Sequence, residues 1–303
     1  MIDRRDFIKA AAALPLLSPL SLLAAQPLPL IKRSIPSSGE AIPAIGMGSY
    51  QTFNVASDSA EMKNLLDVFK LFFASGGSLL DSSPMYGDSE SVLGELLKQM
   101  SPKPKVFSAS KVWTYGKQEG VDAIERSAQR MQTPVMDLMQ VHNLRDWQVQ
   151  LKNLNELKAA GKIRYTGITT SRVSQYTDFE QVMANNKLDF VQLNYNIQVQ
   201  DAAKRLLPLA IDKGIAVIVN MPFEKGRLFQ QVKNKPLPEW SKEFDCASWG
   251  QFFLKYILSH PATTCAIPAT SKVKHMQDNM TAMRGRLPDA KMRIKMANYF
   301  ASL

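Results

Sequence analysis

Four residues of this 303-residue chain have types and positions suited to proton transfer at neutral pH: Asp81, Tyr86, Lys111 and His142. They fall in L-L-D-S-S-P-M-Y-G, F-S-A-S-K-V and M-Q-V-H-N, each at or just past the end of a short apolar run. A carbonyl group that accepts hydride at carbon develops negative charge on oxygen and needs a proton there. A free tyrosine, with a pKa of about 10, is a reluctant acid–base group at pH 7. A lysine ammonium placed against it favours the phenolate and draws that pKa toward the working range. Asp81 would keep the lysine charged and oriented, and His142 would donate to the oxygen on which charge grows. Taken singly, each has an ordinary explanation: a buried ion pair, a rim aromatic, a satisfied core histidine. Four together at strand ends make a catalytic group the better reading.

The elements that would position them recur regularly. Short apolar runs at 45–49, 78–81, 106–112, 138–142, 165–169, 190–193, 216–219 and 264–267 alternate with segments of helical spacing, such as Met62, Leu65, Leu66, Phe69 and Phe72. Gly161 follows the helical pattern of Leu151, Leu154 and Leu157, as a C-terminal glycine should. Strand–helix repeats of this kind predict a parallel sheet whose strands are apolar because both faces are covered. An open doubly wound sheet and a closed (β/α)8 TIM barrel both satisfy the pattern. The polar residues decide between them. Asp81, Lys111, His142, Thr169, Thr170 and Gln192 come from five different runs, nearly all at their C-terminal ends. A barrel gathers such ends around one mouth, whereas an open sheet spreads them along an edge. The expected fold is therefore an α/β barrel in a single domain, with a longer loop at 223–245 covering the mouth. The glycines of Gly46-Met47-Gly48-Ser49-Tyr50-Gln51 lack the third glycine of a dinucleotide fingerprint and lie within a strand, so that motif is set aside.

The first 25 residues read as a separate object. M-I-D-R-R-D-F-I-K precedes an apolar stretch with Pro15 and Pro19, closed by Ala24 and Ala25. The charged start, apolar middle and small residues describe a secretory signal too short to span a bilayer, so no stable membrane anchor is expected. Arg4-Arg5 followed by Phe7, Ile8 and Lys9 resembles the twin-arginine motif, which routes folded proteins through the twin-arginine export machinery to the periplasm. Cleavage after Ala25 would leave residues 26–303 as the barrel domain. The formal charge is +10, but basic residues are scattered and no aromatic residues interleave with them, so nucleic acid is a poor partner. Attraction of anions, including a phosphorylated cofactor, is the milder consequence. Cys246 and Cys265, the two cysteines, have no metal-ligand spacing; two buried thiols are favoured, and a disulfide stays open. No metal site is expected.

At this point the chain resembles the aldo-keto reductase family. The resemblance runs in order through Gly46-Met47-Gly48-Ser49-Tyr50, Leu80-Asp81-Ser82-Ser83-Pro84-Met85-Tyr86-Gly87, Ser108-Ala109-Ser110-Lys111-Val112 and Gln140-Val141-His142. It continues through Gly161–Ile168, Val191–Asn196 and Ile267-Pro268-Ala269-Thr270-Ser271, so it covers nearly all of the chain past the leader. The resemblance implies a (β/α)8 barrel that reduces a small-molecule aldehyde or ketone with NADPH. It places Ser49, Thr169, Thr170 and Gln192 near the nicotinamide, with threonines where the family commonly has Ser-Asn. It puts Asn220 where many members stack a tyrosine on the ring, with Phe223 as a compensating neighbour. The segment Thr270, Ser271, Lys272 and His275 is expected to hold the adenosine 2′-phosphate, and Asp278 and Asn279 the adenine. Cations in the first turn of a helix oppose its dipole and make sense if an anion rests there. Tyr50 and Trp113 would wall a substrate pocket. A second possibility is a cofactor-binding sensor or accessory subunit with little turnover, against which the intact set of four argues. A purely structural exported protein would bind no nicotinamide at all.

Overall fold

The computed structural model describes residues 28–303, so the leader expected at residues 1–25 lies outside the described residues. The described residues open with a hairpin, β1 (Lys32–Ser34) and β2 (Ala41–Pro43), turned by the P-S-S-G segment. Eight parallel strands follow: β3 (Met47–Gly48), β4 (Leu79–Asp81), β5 (Phe107–Val112), β6 (Met136–His142), β7 (Ile163–Thr169), β8 (Phe190–Asn194), β9 (Ala216–Asn220) and β10 (Thr263–Ala266). They neighbour one another in sequence order. The sheet curls back on itself, because a parallel bridge joins Ile45 to Ala266, and the amides of Gly46 and Ala266 donate to the carbonyls of Ala266 and Ala44. Between the strands run α1 (Ala60–Ala74), α2 (Ser89–Lys98), α3 (Lys117–Arg130), α4 (Trp147–Ala159), α5 (Tyr176–Asn185), α6 (Leu206–Asp212), α7 (Arg227–Gln231) and α8 (Trp249–Leu258). Two helices close the chain, α9 (Val273–Ala282) and α10 (Ala290–Ala301). All eight expected strands are present, most with their ends shifted by a residue or two.

Strand side chains alternate faces, and here the alternation separates two cores. Leu80, Val112, Met139, Val141, Ile168, Val191, Leu193, Val217 and Val219 point outward into the large apolar layer beneath the helices. Leu79, Phe107, Leu138, Tyr165, Phe190, Ala216 and Cys265 point inward at the N-terminal end of the strands. Ile35 and Ile42 of the β1–β2 hairpin complete this inner layer and plug that end. Arg164 ties the plug down through ion pairs to Glu40 and Asp137. The hairpin and α10 were not legible as elements; the hairpin registers in the sequence only as a polar stretch with turn signals. With the lower end packed by apolar side chains, the inward positions at the C-terminal end are left for polar ones.

One strand position depends on having no side chain. A Cβ at Gly167, in β7, would lie 2.6 Å from the carbonyl oxygen of Phe190 on β8. Gly167→Ala is expected to cost about 1–3 kcal/mol of stability through overpacking, seen in calorimetry as a Tm lower by roughly 5 °C. An unchanged Tm would show that β7 and β8 can part without penalty.

Candidate active site

The inward polar residues at the C-terminal end form one connected network. The Lys111 Nζ donates to Asp81 Oδ2 at 2.7 Å and to the Ser82 carbonyl at 2.6 Å. Asp81 Oδ1 accepts from Gln192 Nε2 at 2.8 Å, and Thr169 Oγ1 donates to Gln192 Oε1 at 3.0 Å. The register explains the convergence: His142 lies opposite Thr169, and Thr169 opposite Gln192, in one row across β6, β7 and β8. Lys111 and Asp81 are both buried, as a charge can be when it is paired and hydrogen-bonded. Burial opposes the lysine charge, but Asp81 and Tyr86 outweigh it and hold the Lys111 pKa above its ordinary value.

Tyr86 sits on the turn after β4, half-buried, its ring centroid 5.1 Å from Lys111 Nζ and 5.9 Å from the His142 ring. Its titration corrects the sequence expectation. Lys111 does pull the Tyr86 pKa down, but burial, helped by the Asp81 charge, pushes it above the ordinary tyrosine value. The phenol is therefore protonated at neutral pH. His142 is driven the other way: burial first, then the positive charges of Lys111 and Arg172, lower its pKa to about 2.

Ser83 is not among the residues that the sequence singles out; its only signal is its place inside D-S-S-P-M-Y. Its buried Oγ lies 3.0 Å from His142 Nδ1. The Met85 amide donates to the same oxygen at 3.4 Å, and the hydroxyl can accept that bond while giving its own proton to Nδ1. The imidazole then carries its own proton on Nε2. Glu224 was also unflagged. Its buried carboxylate accepts from Asn194 Nδ2 at 2.8 Å and Asn196 Nδ2 at 2.9 Å and pairs with Arg227. These contacts fix a turn in which Met221, Glu224 and Lys225 all have positive φ, a conformation that costs free energy and persists only when surroundings impose it.

Beside these residues a cavity of about 1070 Å³ runs from Tyr50, Tyr86 and His142 to His275 and Asn279. Of the expected contacts, Ser49, Thr169, Gln192, Asn220, Phe223, Thr270, His275, Asp278 and Asn279 line it, as does Tyr50. Others do not. Trp113 is covered by the Arg145 guanidinium at 4.0 Å, so it does not wall the cavity. Thr170 spends its hydroxyl on Gln175 Oε1 and the Arg172 amide, which turns it away. Ser271 faces a separate small pocket beside Asn64 and Leu65, and Lys272 caps α9 without reaching the main cavity. The 223–245 loop covers the mouth only through its first residues. From Trp240 onward it packs on Phe252 and Tyr299. Both cysteines are buried and are not bonded to each other.

A strand-end cluster of tyrosine, lysine, aspartate and neutral histidine thus lies beside a long cavity at the C-terminal end of a parallel α/β barrel. Residues 44–296 match the Aldo/keto reductase family, and the chain is an oxidoreductase belonging to that family. Methylglyoxal reductase YeaE of Escherichia coli strain K12 is 27% identical over 270 residues, 86% of this chain and 93% of the relative. Aldo-keto reductase YhdN of Bacillus subtilis strain 168 is 26% identical over 210 residues, 64% of this chain and 62% of that one. The fold is similar to aldo-keto reductase AKR11C1 from Bacillus halodurans, at 20% identity and TM-score 0.72, covering 90% of this chain and 96% of that one. An aldo/keto reductase from Klebsiella pneumoniae in complex with NADPH gives the same TM-score at 21% identity, with 89% and 96% covered.

The imidazole geometry has a direct check. Nitrogen-15 NMR of the protein is expected to show His142 as one neutral tautomer, protonated at Nε2, from pH 9 down to pH 4. Titration in that interval, or a mixture of tautomers, would contradict the Ser83 contact.

Proposed function

We propose that the chain reduces an aldehyde or ketone with NADPH, with Tyr86 as proton donor. The observation that carries this reading is the meeting of Tyr86, Lys111, Asp81 and His142 at one end of a cavity long enough for a dinucleotide. The cavity wall fits the cofactor. Asn220 Oδ1 is buried with no partner, while its Nδ2 donates to the Thr170 carbonyl at 3.2 Å. A buried orphan acceptor of this kind suits the amino group of a carboxamide. Thr169 and Gln192 flank it, Ser49 lies under the same end, and His275, Asp278 and Asn279 stand at the other, with Thr270 between. Asp278 is held by Ser248 Oγ at 2.6 Å and Gln251 Nε2 at 2.7 Å, a placed acceptor for the adenine. The family resemblance and the NADPH complex of the Klebsiella pneumoniae relative support the same choice.

When bound, the nicotinamide supplies hydride to the carbonyl carbon. The protein supplies everything at oxygen. His142, neutral and with Nε2–H free of Ser83, donates a hydrogen bond to the carbonyl oxygen without adding charge. Tyr86 transfers its phenolic proton to that oxygen, and the Lys111 ammonium stabilises the phenolate left behind. Asp81 is a positioning residue, holding Lys111 between itself and the Ser82 carbonyl. Because the Tyr86 pKa is raised, the acid form needed for reduction persists through neutral pH. The reverse reaction needs the phenolate, which grows tenfold per pH unit below that pKa. Purified protein is expected to oxidise NADPH with 4-nitrobenzaldehyde at a rate that varies little between pH 6 and 9, while alcohol oxidation climbs with pH. Tyr86→Phe is expected to lower kcat by at least about a thousandfold, within the range that acid–base catalysis supplies. Equal turnover by that variant would end the mechanism.

We further infer that residues 1–25 are a twin-arginine signal and residues 26–303 the exported domain, which places the enzyme in the periplasm. The paired arginines ahead of a moderately apolar segment support this. Export of the folded barrel would let the cofactor travel already bound. Arg4→Lys with Arg5→Lys is expected to retain the protein in the cytoplasm; fractionation showing it still in the periplasm would refute the route.

A further inference from the structure

The substrate end of the cavity carries two positive charges that take no direct part in the hydride or proton transfer. Arg172 lines it from the loop after β7, and its charge helps to keep His142 from protonating. Lys225 lines it from the strained turn after β9, its Nζ 5.7 Å from the Tyr50 ring centroid. The Tyr50 ring in turn lies 5.0 Å from that of Tyr86. Both residues are exposed, and among the described residues neither side chain has a carboxylate partner, although other exposed cations such as Lys117, Arg126, Arg205 and Arg286 do. Two carboxylates line the cavity, and both are committed: Asp81 to Lys111 and Gln192, Asp278 to Ser248 and Gln251.

Lys225 is not at this position by chance. Its φ of 54° follows a Glu224 at 49°, and the buried Glu224 carboxylate, gripped by Asn194 and Asn196, imposes both. Backbone held in this region by surrounding contacts marks functional sites. What the turn delivers is an ammonium over the aromatic wall beside the reacting tyrosine. Apolar surface from Phe223 and Phe229, their rings 4.9 Å apart, lies next to it. Positive charge gathered at one end of a cleft concentrates anionic ligands there.

We propose that this enzyme's own substrates are anionic carbonyl compounds, whose carbonyl lies between Tyr86 and His142 and whose carboxylate or phosphate is held by Arg172 and Lys225. This rests on the reductase reading above and extends it to substrate class. The anion contacts no reacting atom, so the two cations act on binding and selectivity. The competing assignment gives both cations to the phosphates of the cofactor, and it predicts a different kinetic pattern.

The test compares matched substrates in the full-length protein with saturating NADPH. One pair is 4-carboxybenzaldehyde and 4-nitrobenzaldehyde; the other is glyceraldehyde 3-phosphate and glyceraldehyde. In Arg172→Gln/Lys225→Gln, the charged-to-neutral ratio of kcat/KM is expected to fall about tenfold or more from its wild-type value, mainly through KM. That is the upper end of what two exposed cations acting on one anion supply. The pair that responds identifies the anion as carboxylate or phosphate. Raising salt from 20 to 300 mM should weaken the charged member selectively in the wild type and little in the variant. Equal losses for both members of each pair, a raised KM for NADPH, or unchanged ratios in both pairs would overturn the proposal. If the wild type fails to reduce every one of the four compounds, the reductase reading itself has failed.

Discussion

The constraint on which the rest depends is the burial of Lys111 with Asp81. An ammonium and a carboxylate out of water each lose several kcal/mol of hydration. Here the polar atoms of the pair are answered by hydrogen bonds. Lys111 reaches Asp81 and the Ser82 carbonyl, while the other Asp81 oxygen takes the Gln192 amide, with Gln140 at 3.5 Å. Removing one partner would strand the other, at a cost of about 3–5 kcal/mol. A closed sheet meets this demand well: β4, β5, β6 and β8 present their inward side chains to a common centre, and apolar residues fill the end below.

From that pair outward, one short turn organises the chemistry. The residues after β4 give a carbonyl to Lys111 through Ser82, a hydroxyl to His142 through Ser83, and the phenol itself through Tyr86. The Tyr86 amide donates back to the Ser83 carbonyl at 3.0 Å, so the group that orients the histidine also shapes the turn that carries the tyrosine. A second turn, after β9, stores strain at Met221, Glu224 and Lys225 against the Glu224–Asn194–Asn196 contacts. Both turns lie at the C-terminal ends of strands, where a barrel's loops can vary without disturbing its packed interior.

The electrostatic outcome differs between the two acid–base residues because their surroundings differ. Tyr86 gains stabilisation of its phenolate from Lys111, yet burial still favours the neutral phenol. His142 faces two positive charges and burial together, all opposing imidazolium. A neutral imidazole and a protonated phenol thus coexist at neutral pH, their rings about 6 Å apart. The sequence points to these residues, because their types are unusual at strand ends. It could not announce the balance, which depends on how much water each group loses.

The residues that were legible from residue type and strand period are the eight apolar runs and the tyrosine–lysine–aspartate–histidine set; most of the cavity wall, from Ser49 to Asn279, was legible only through the family resemblance. Periodicity and residue type are local properties, so the chain states them directly. Tertiary structure alone decided what depends on neighbours distant in sequence. Trp113 is lost to the pocket because Arg145 stacks on it; Thr170 is lost because Gln175 and the Arg172 amide claim its hydroxyl. Ser83 and Glu224 gained roles because His142, Asn194 and Asn196 fold against them. The physical reason is the same each time: a polar side chain acts on what is left after its nearest partners are satisfied, and folding chooses those partners.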